Sequence, residues 1–138
     1  MYTNNDCEIS GISVCVPRKQ INNKKFLKFK EKNEFIQHTG VSKHFLDLNQ
    51  SISTSDLCLD AANKIINTLK WKKENIAFLL FVSQTRDFML PNTACILQKK
   101  LRLNKDILAY DIPLGCSGFV FGLYTAFLIS KNMKSKGL

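Results

Sequence analysis

Four consecutive residues, Gly115-Cys116-Ser117-Gly118, combine a thiol with three small neighbours. They lie between a short apolar run ending at Ile112 and a long apolar stretch that follows. A turn from strand to helix is one of the ways proteins present a nucleophile. Unpaired backbone N–H groups and the positive end of the helix dipole stabilise a thiolate there. The same N–H groups can receive the negative oxygen that develops when a thioester carbonyl is attacked. Gly115, Ser117 and Gly118 leave room for a bulky substrate to approach the sulfur. The chemistry on offer is acyl transfer to Cys116. The competing reading is a buried, inert cysteine, a common fate of an unpaired thiol.

Other chemistries find less support. The five cysteines (Cys7, Cys15, Cys58, Cys95, Cys116) sit singly, with no C-x-x-C pair and no Cys/His cluster, so no metal site is expected. They read as reduced thiols of a cytoplasmic protein. A redox role for Cys116 lacks a resolving cysteine nearby in sequence. The net charge of +9 has two readings, an acidic partner or a lysine-rich composition. The lysines are scattered without interleaved aromatics, which argues against nucleic acid. The N-terminus lacks a secretory pattern. The apolar stretch from Gly118 to Ile129 is shorter than the ~20 residues of a membrane span, so a buried helix is expected there.

With 45% hydrophobic and 22% charged residues, the 138-residue chain can bury a core and suits one domain. Glu8 to Pro17 alternates apolar Ile12, Val14 and Val16 with smaller residues, which predicts a strand closed by Pro17. Asn22 or Asn23 can cap a short helix holding Phe26, Leu27 and Phe29. A second short helix, Asn33 to Thr39, stops at Gly40. Val41 to Ser53 reads as a loop. Ser53, Thr54 or Ser55 caps the clearest helix, whose Leu57, Ala61, Ile65 and Leu69 recur every four residues. Ile76 to Val82 is a continuous apolar run, as in a strand buried on both faces of a parallel sheet. Thr85 to Leu90 is a loop, and Pro91 precedes a helix at Asn92 to Leu101. Ile107 to Ile112 is another strand, and Cys116 opens the last helix, to about Met133. Lys134 to Leu138 looks like a helix end and the first residue of a further strand. Strands alternating with helices imply an α/β fold with a mostly parallel sheet packed by helices. An α/β unit that stops there lacks a neighbour for its sheet edge, and the chain reads as interrupted.

Three segments carry a resemblance. Asp111-Ile-Pro-Leu-Gly-Cys-Ser-Gly-Phe-Val-Phe-Gly-Leu123 resembles the active-site segment of β-ketoacyl-ACP synthase III and related thiolase-fold enzymes, with an acidic residue five positions before the cysteine. Pro91-Asn-Thr-Ala-Cys-Ile-Leu-Gln98 is similar to the family's Pro-x-x-Ala-x-x-x-Gln helix, and Thr39-Gly40-Val41 to its Thr-Gly-Ile. The resemblance implies the N-terminal half of a thiolase-like fold, a duplicated α/β arrangement whose second half is absent from residues 1–138. It implies a homodimer that uses an acyl carrier protein and needs no cofactor beyond its substrates. Cys116 would take an acyl group from acyl-CoA or acyl-ACP. Decarboxylation of malonyl-ACP and Claisen condensation would follow. Leu90, before the motif proline, maps to the position that reaches across the dimer to line the partner's acyl pocket.

Departures from the family pattern leave other points open. Phe35 and His38 are the nearest counterparts of a Trp and an Arg that stack the CoA adenine, and His44 stands at another usual Arg. The primer therefore stays open between acetyl and other acyl groups, on CoA or on a carrier protein. The His and Asn of the condensation step belong to the family's second half, and neither His38 nor His44 is assigned to catalysis. A related superfamily member, such as a thiolase or a hydroxymethylglutaryl-CoA synthase, and a truncated or degenerate non-catalytic domain are the alternatives.

Overall fold

The computed structural model describes residues 7–23, 32–133 and 135–138. The expected helix with Phe26, Leu27 and Phe29 lies outside the described residues. In chain order the elements are β1 (Lys19–Asn22), α1 (Lys32–Thr39), β2 (Lys43–Leu46), α2 (Thr54–Thr68), a 3-10 turn (Lys73–Asn75), β3 (Ile76–Val82), α3 (Thr93–Leu101), β4 (Leu108–Ile112), α4 (Gly118–Met133) and β5 (Lys136–Gly137). They form two sheets. β1 and β2 pair antiparallel, and β4-β3-β5 is parallel, with β3 in the middle.

The parallel sheet follows from the composition of β3. Its seven residues are all apolar and none is exposed. Successive side chains point to opposite faces, so such a strand needs cover on both. Leu79 and Phe81 join Ile66, Ala94, Leu97, Leu101 and Leu103 in the core formed with α2 and α3. Val82 on the other parity faces α4, and Phe78 faces β5. Helices thus cover both sides of the sheet.

Helix boundaries follow their caps. Ser53 closes a capping box with Asp56 at the start of α2, which satisfies two otherwise unpaired N–H groups. At the other end the Trp71 N–H returns to the Ile66 carbonyl at 3.0 Å, with Lys70 in the left-handed region. Trp71 therefore packs the helix end, as expected, and Lys136 of β5 lies 4.9 Å above its ring. Gly40, at φ +70°, ends α1 by donating to the Ile36 carbonyl at 2.8 Å.

Three expectations are corrected. Residues 8–17 form no strand; β1 begins only after Pro17. A strand is a property of two segments, and residues 8–17 pair with none of the described strands. Residues 7–13 instead line a cleft of about 1060 Å³ beside α2, β3 and α4, with Gly11 set against Ile65 and Leu69. Residues 41–53 are not all loop, because β2 lies within them. Pro91 stands before α3, as expected, with Asn92 as the N-cap, and it follows a cis peptide bond. α4 starts at Gly118 and not at Cys116.

Candidate functional site

The parallel strands β3 and β4 end side by side, with Val82 in register with Ile112. In open α/β sheets, ligands gather beyond the carboxyl ends of the strands. The chain leaves β4 through Pro113 and Leu114, and the Leu114 N–H folds back onto the Ile112 carbonyl at 2.9 Å. The Gly118 N–H donates to the Gly115 carbonyl at 2.8 Å, which closes a tight turn around Cys116 and Ser117. The first α-helical bond, from Phe121 N–H to the Ser117 carbonyl, comes one step later. Cys116 is exposed in that turn, two residues before the first helical residue. The early N–H groups of α4 have no partner within the helix.

The three glycines of this region have separate physical reasons. A Cβ on Gly115 would lie 2.7 Å from the Gln84 amide, so the loop after β3 packs flat onto the turn. A Cβ on Gly118 would come within 2.9 Å of Val82 and 3.2 Å of Leu114; on Gly122 it would lie 2.7 Å from Val82. Gly118 and Gly122 are buried and let α4 sit directly on the end of β3. The absence of a side chain at Gly118 thus answers to packing beneath the turn, while Cys116 is exposed.

Asp111 of β4 accepts the Thr93 N–H at 2.9 Å and the Ala94 N–H at 2.7 Å. The N-cap residue Asn92 contributes no side-chain bond, so a carboxylate from a neighbouring strand caps α3. Thr93 and Ala94 are fully buried, where unpaired N–H groups are expensive. The strand that delivers Cys116 is thereby tied to the start of the Pro91 helix. Upstream, Asp87 accepts the Ser55 N–H at the start of α2 at 3.1 Å. Ser83, Thr85 and Thr54 link hydroxyls across the same end of the sheet. Between Asp87 and Pro91 the chain presents Phe88, Met89 and Leu90, which are 61%, 77% and 82% exposed.

Phe35 and His38 are exposed on α1. The antiparallel pair of β1 and β2 is held by Asn23, a buried residue whose amide donates to the Val41 carbonyl at 2.8 Å and whose side-chain oxygen bonds His44 Nδ1. That pair forms the two-stranded sheet, whereas Cys116 and Leu90 lie at the end of the three-stranded one. Sequence reasoning missed Gln84 and Asp87 and gave Asp111 no physical role. Each acts on residues distant in sequence, and no local spacing marks it.

Electrostatic shifts lie around this end of the core. Asp56 is held down to about 2, first by the Lys100 ammonium at 2.8 Å and then by Ser53. Burial pushes the Cys58 thiol up, helped by Asp87 and Cys15. Among the described residues, no three His, Cys, Asp or Glu side chains gather as metal ligands, and no helix is long and apolar enough to cross a membrane.

No protein-family model matches the chain. A β-ketoacyl-[acyl-carrier-protein] synthase III of Clostridium perfringens is 32% identical over 120 residues, covering 86% of this chain and 36% of that protein. Its namesake in Fusobacterium nucleatum is 33% identical over 127 residues, covering 90% and 38%. A solved 3-oxoacyl-(acyl-carrier protein) synthase from Burkholderia xenovorans superposes with a TM-score of 0.78 at 34% identity, over 88% of this chain and 36% of that one. The chain spans little more than a third of the length of these relatives.

Proposed function

Because the chain belongs to the thiolase-like β-ketoacyl-ACP synthase III family, of which it is an N-terminal portion, we propose that Cys116 is an acyl-accepting nucleophile in fatty acid synthesis. The single observation that carries this reading is the exposed thiol in the β4–α4 turn, with Gly115 and Gly118 packed away beneath it. The Cys116 thiolate attacks the carbonyl carbon of an acyl-CoA or acyl-ACP thioester. The developing oxyanion is met by backbone N–H groups near the start of α4. The tetrahedral intermediate collapses, the CoA or carrier thiolate leaves, and the acyl group stays on Sγ. Malonyl-ACP then loses CO2, and the resulting carbanion attacks the acyl carbon and releases Cys116.

In this reading residues 1–138 are the first part of the catalytic domain, and a second half supplies the His and Asn of condensation. The enzyme works as a homodimer in the cytoplasm with acyl carrier protein as partner. Leu90, on its exposed tip, enters the partner's acyl pocket and sets primer choice. Phe35 and His38 lie toward the nucleotide end of a CoA donor.

Intact-mass analysis of the full-length protein after incubation with acetyl-CoA tests the nucleophile. One acyl adduct is expected, absent in Cys116→Ser and Cys116→Ala. An adduct on Cys95, the other exposed thiol, would overturn the assignment. No adduct with any acyl thioester would support the non-catalytic domain instead.

A further inference from the structure

We infer that Asp87 and Asp111 are positioning residues for primer selectivity, acting through the apolar tip that they suspend between them. This rests on the role given above to Cys116 and Leu90. The tip Phe88-Met89-Leu90 makes three adjacent apolar side chains exposed, and a short unsupported loop with such residues would fold back on the surface. Its two ends are held instead. Asp87, immediately before the tip, is bonded to the Ser55 N–H of α2. On the other side, beyond Pro91 and Asn92, Thr93 and Ala94 at the start of α3 are bonded to both oxygens of Asp111.

The anchors are firm for physical reasons. Ser55, Thr93 and Ala94 are all fully buried, so the N–H groups they offer have no water to turn to. Charge-assisted bonds from a carboxylate to helix N-terminal N–H groups are among the strong ones. The Ser55 hydroxyl also receives the Lys100 ammonium of α3 at 3.0 Å, and Lys100 binds Asp56. The two anchor points, the starts of α2 and α3, are therefore tied to each other as well as to the tip. Asp111 sits on the strand that leads directly to Cys116, in register with Phe81 of β3. One carboxylate thus fixes both where the tip leaves the subunit and where the nucleophile turn begins. Selectivity depends on where Leu90 reaches, so loosening either anchor changes which acyl chain is accepted, and loosening Asp87, which lies off the nucleophile strand, does so with the thiol untouched.

The test is competitive loading of Cys116 in the full-length protein with acetyl-CoA and hexanoyl-CoA. Asp87→Ala, Asp111→Asn and Asp111→Ala are compared with the parent, and iodoacetamide alkylation of Cys116 is followed in parallel. Asp111→Ala is expected to shift the hexanoyl-to-acetyl ratio about tenfold, since small misplacements of positioning groups have effects of that order or larger. Asp111→Asn, which keeps one acceptor, shifts it less, and the alkylation rate stays at the parent value in Asp87→Ala, whose anchor lies off the nucleophile strand. An unchanged ratio, or a uniform fall with both donors, would overturn the inference and leave the nucleophile assignment standing. A parent protein that loads neither donor on Cys116 would overturn both.

Discussion

Gly122→Ala tests how closely α4 is seated on the sheet. The new methyl would lie 2.7 Å from Val82 Cγ2 and 3.6 Å from Val82 Cβ, against the ~3.5–4.0 Å at which carbon atoms pack best. Val82 cannot swing aside freely, because it is β-branched and its χ1 is restricted. It is also held in the ladder opposite Ile112. Forcing a methyl into such a contact destabilises by about 1–3 kcal/mol. Replacing Gly by Ala inside a helix offsets about 0.5–1 kcal/mol. The net expectation is a loss of about 1 kcal/mol. Val82→Ala alone removes two half-buried methyls, at about 0.8 kcal/mol each. The double variant restores the space, so its loss falls below the sum of the two singles by about 1 kcal/mol or more. Urea unfolding of the four proteins measures this. A Gly122→Ala protein more stable than the parent, with additive single and double effects, would refute the seating of α4 on Val82.

Two further outcomes are expected. Asp56→Ala removes a capping box worth about 1 kcal/mol together with its half-exposed link to Lys100. The carboxyl of Asp56 is depressed in the folded chain to about 2. Its contribution is therefore complete above the unfolded carboxyl range near pH ~4 and is lost as pH falls through about 2. The stability gap between variant and parent should narrow over that window, and added salt should shrink its ionic part. Separately, Phe119, Val120, Phe121 and Tyr124 are 56–72% exposed along α4, and neighbouring exposed apolar side chains of this kind favour association. The 138-residue chain alone should oligomerise or precipitate. A monodisperse monomer in light scattering would contradict that expectation.

Much of the central sheet was legible because its information is local. Ile76 to Val82 is apolar at every position, and only a doubly covered strand uses such a run. Ser53, three residues before Asp56, announces the start of α2, and Gly40 marks the end of α1. β1 and β2 were not legible, since Lys19-Gln-Ile-Asn22 and Lys43-His-Phe-Leu46 mix polar and apolar residues with little alternation. Residues 8–17 alternate well, but pairing also needs a partner strand, which no single segment encodes. At the site, Cys116 lies in a turn between strand and helix and Leu90 in the loop before α3, as their local sequences suggested. The starts of α3 and α4 came out two residues or fewer from expectation. The contacts of Gln84, Asp87 and Asp111 could not be read, since each joins residues that only the fold brings together.

The cap supplied by Asp111 has a consequence for how the chain folds. Most helices begin with a capping side chain from their own sequence, so a nascent helix can form before its surroundings. α3 borrows its cap from a strand that follows it in sequence, 17 and 18 residues past the N–H groups it serves. Those N–H groups stay unsatisfied until β4 has docked beside β3. Helix and strand should therefore gain protection from hydrogen exchange together, as one cooperative unit. That unit matures only when the chain has been made as far as Asp111, five residues short of Cys116.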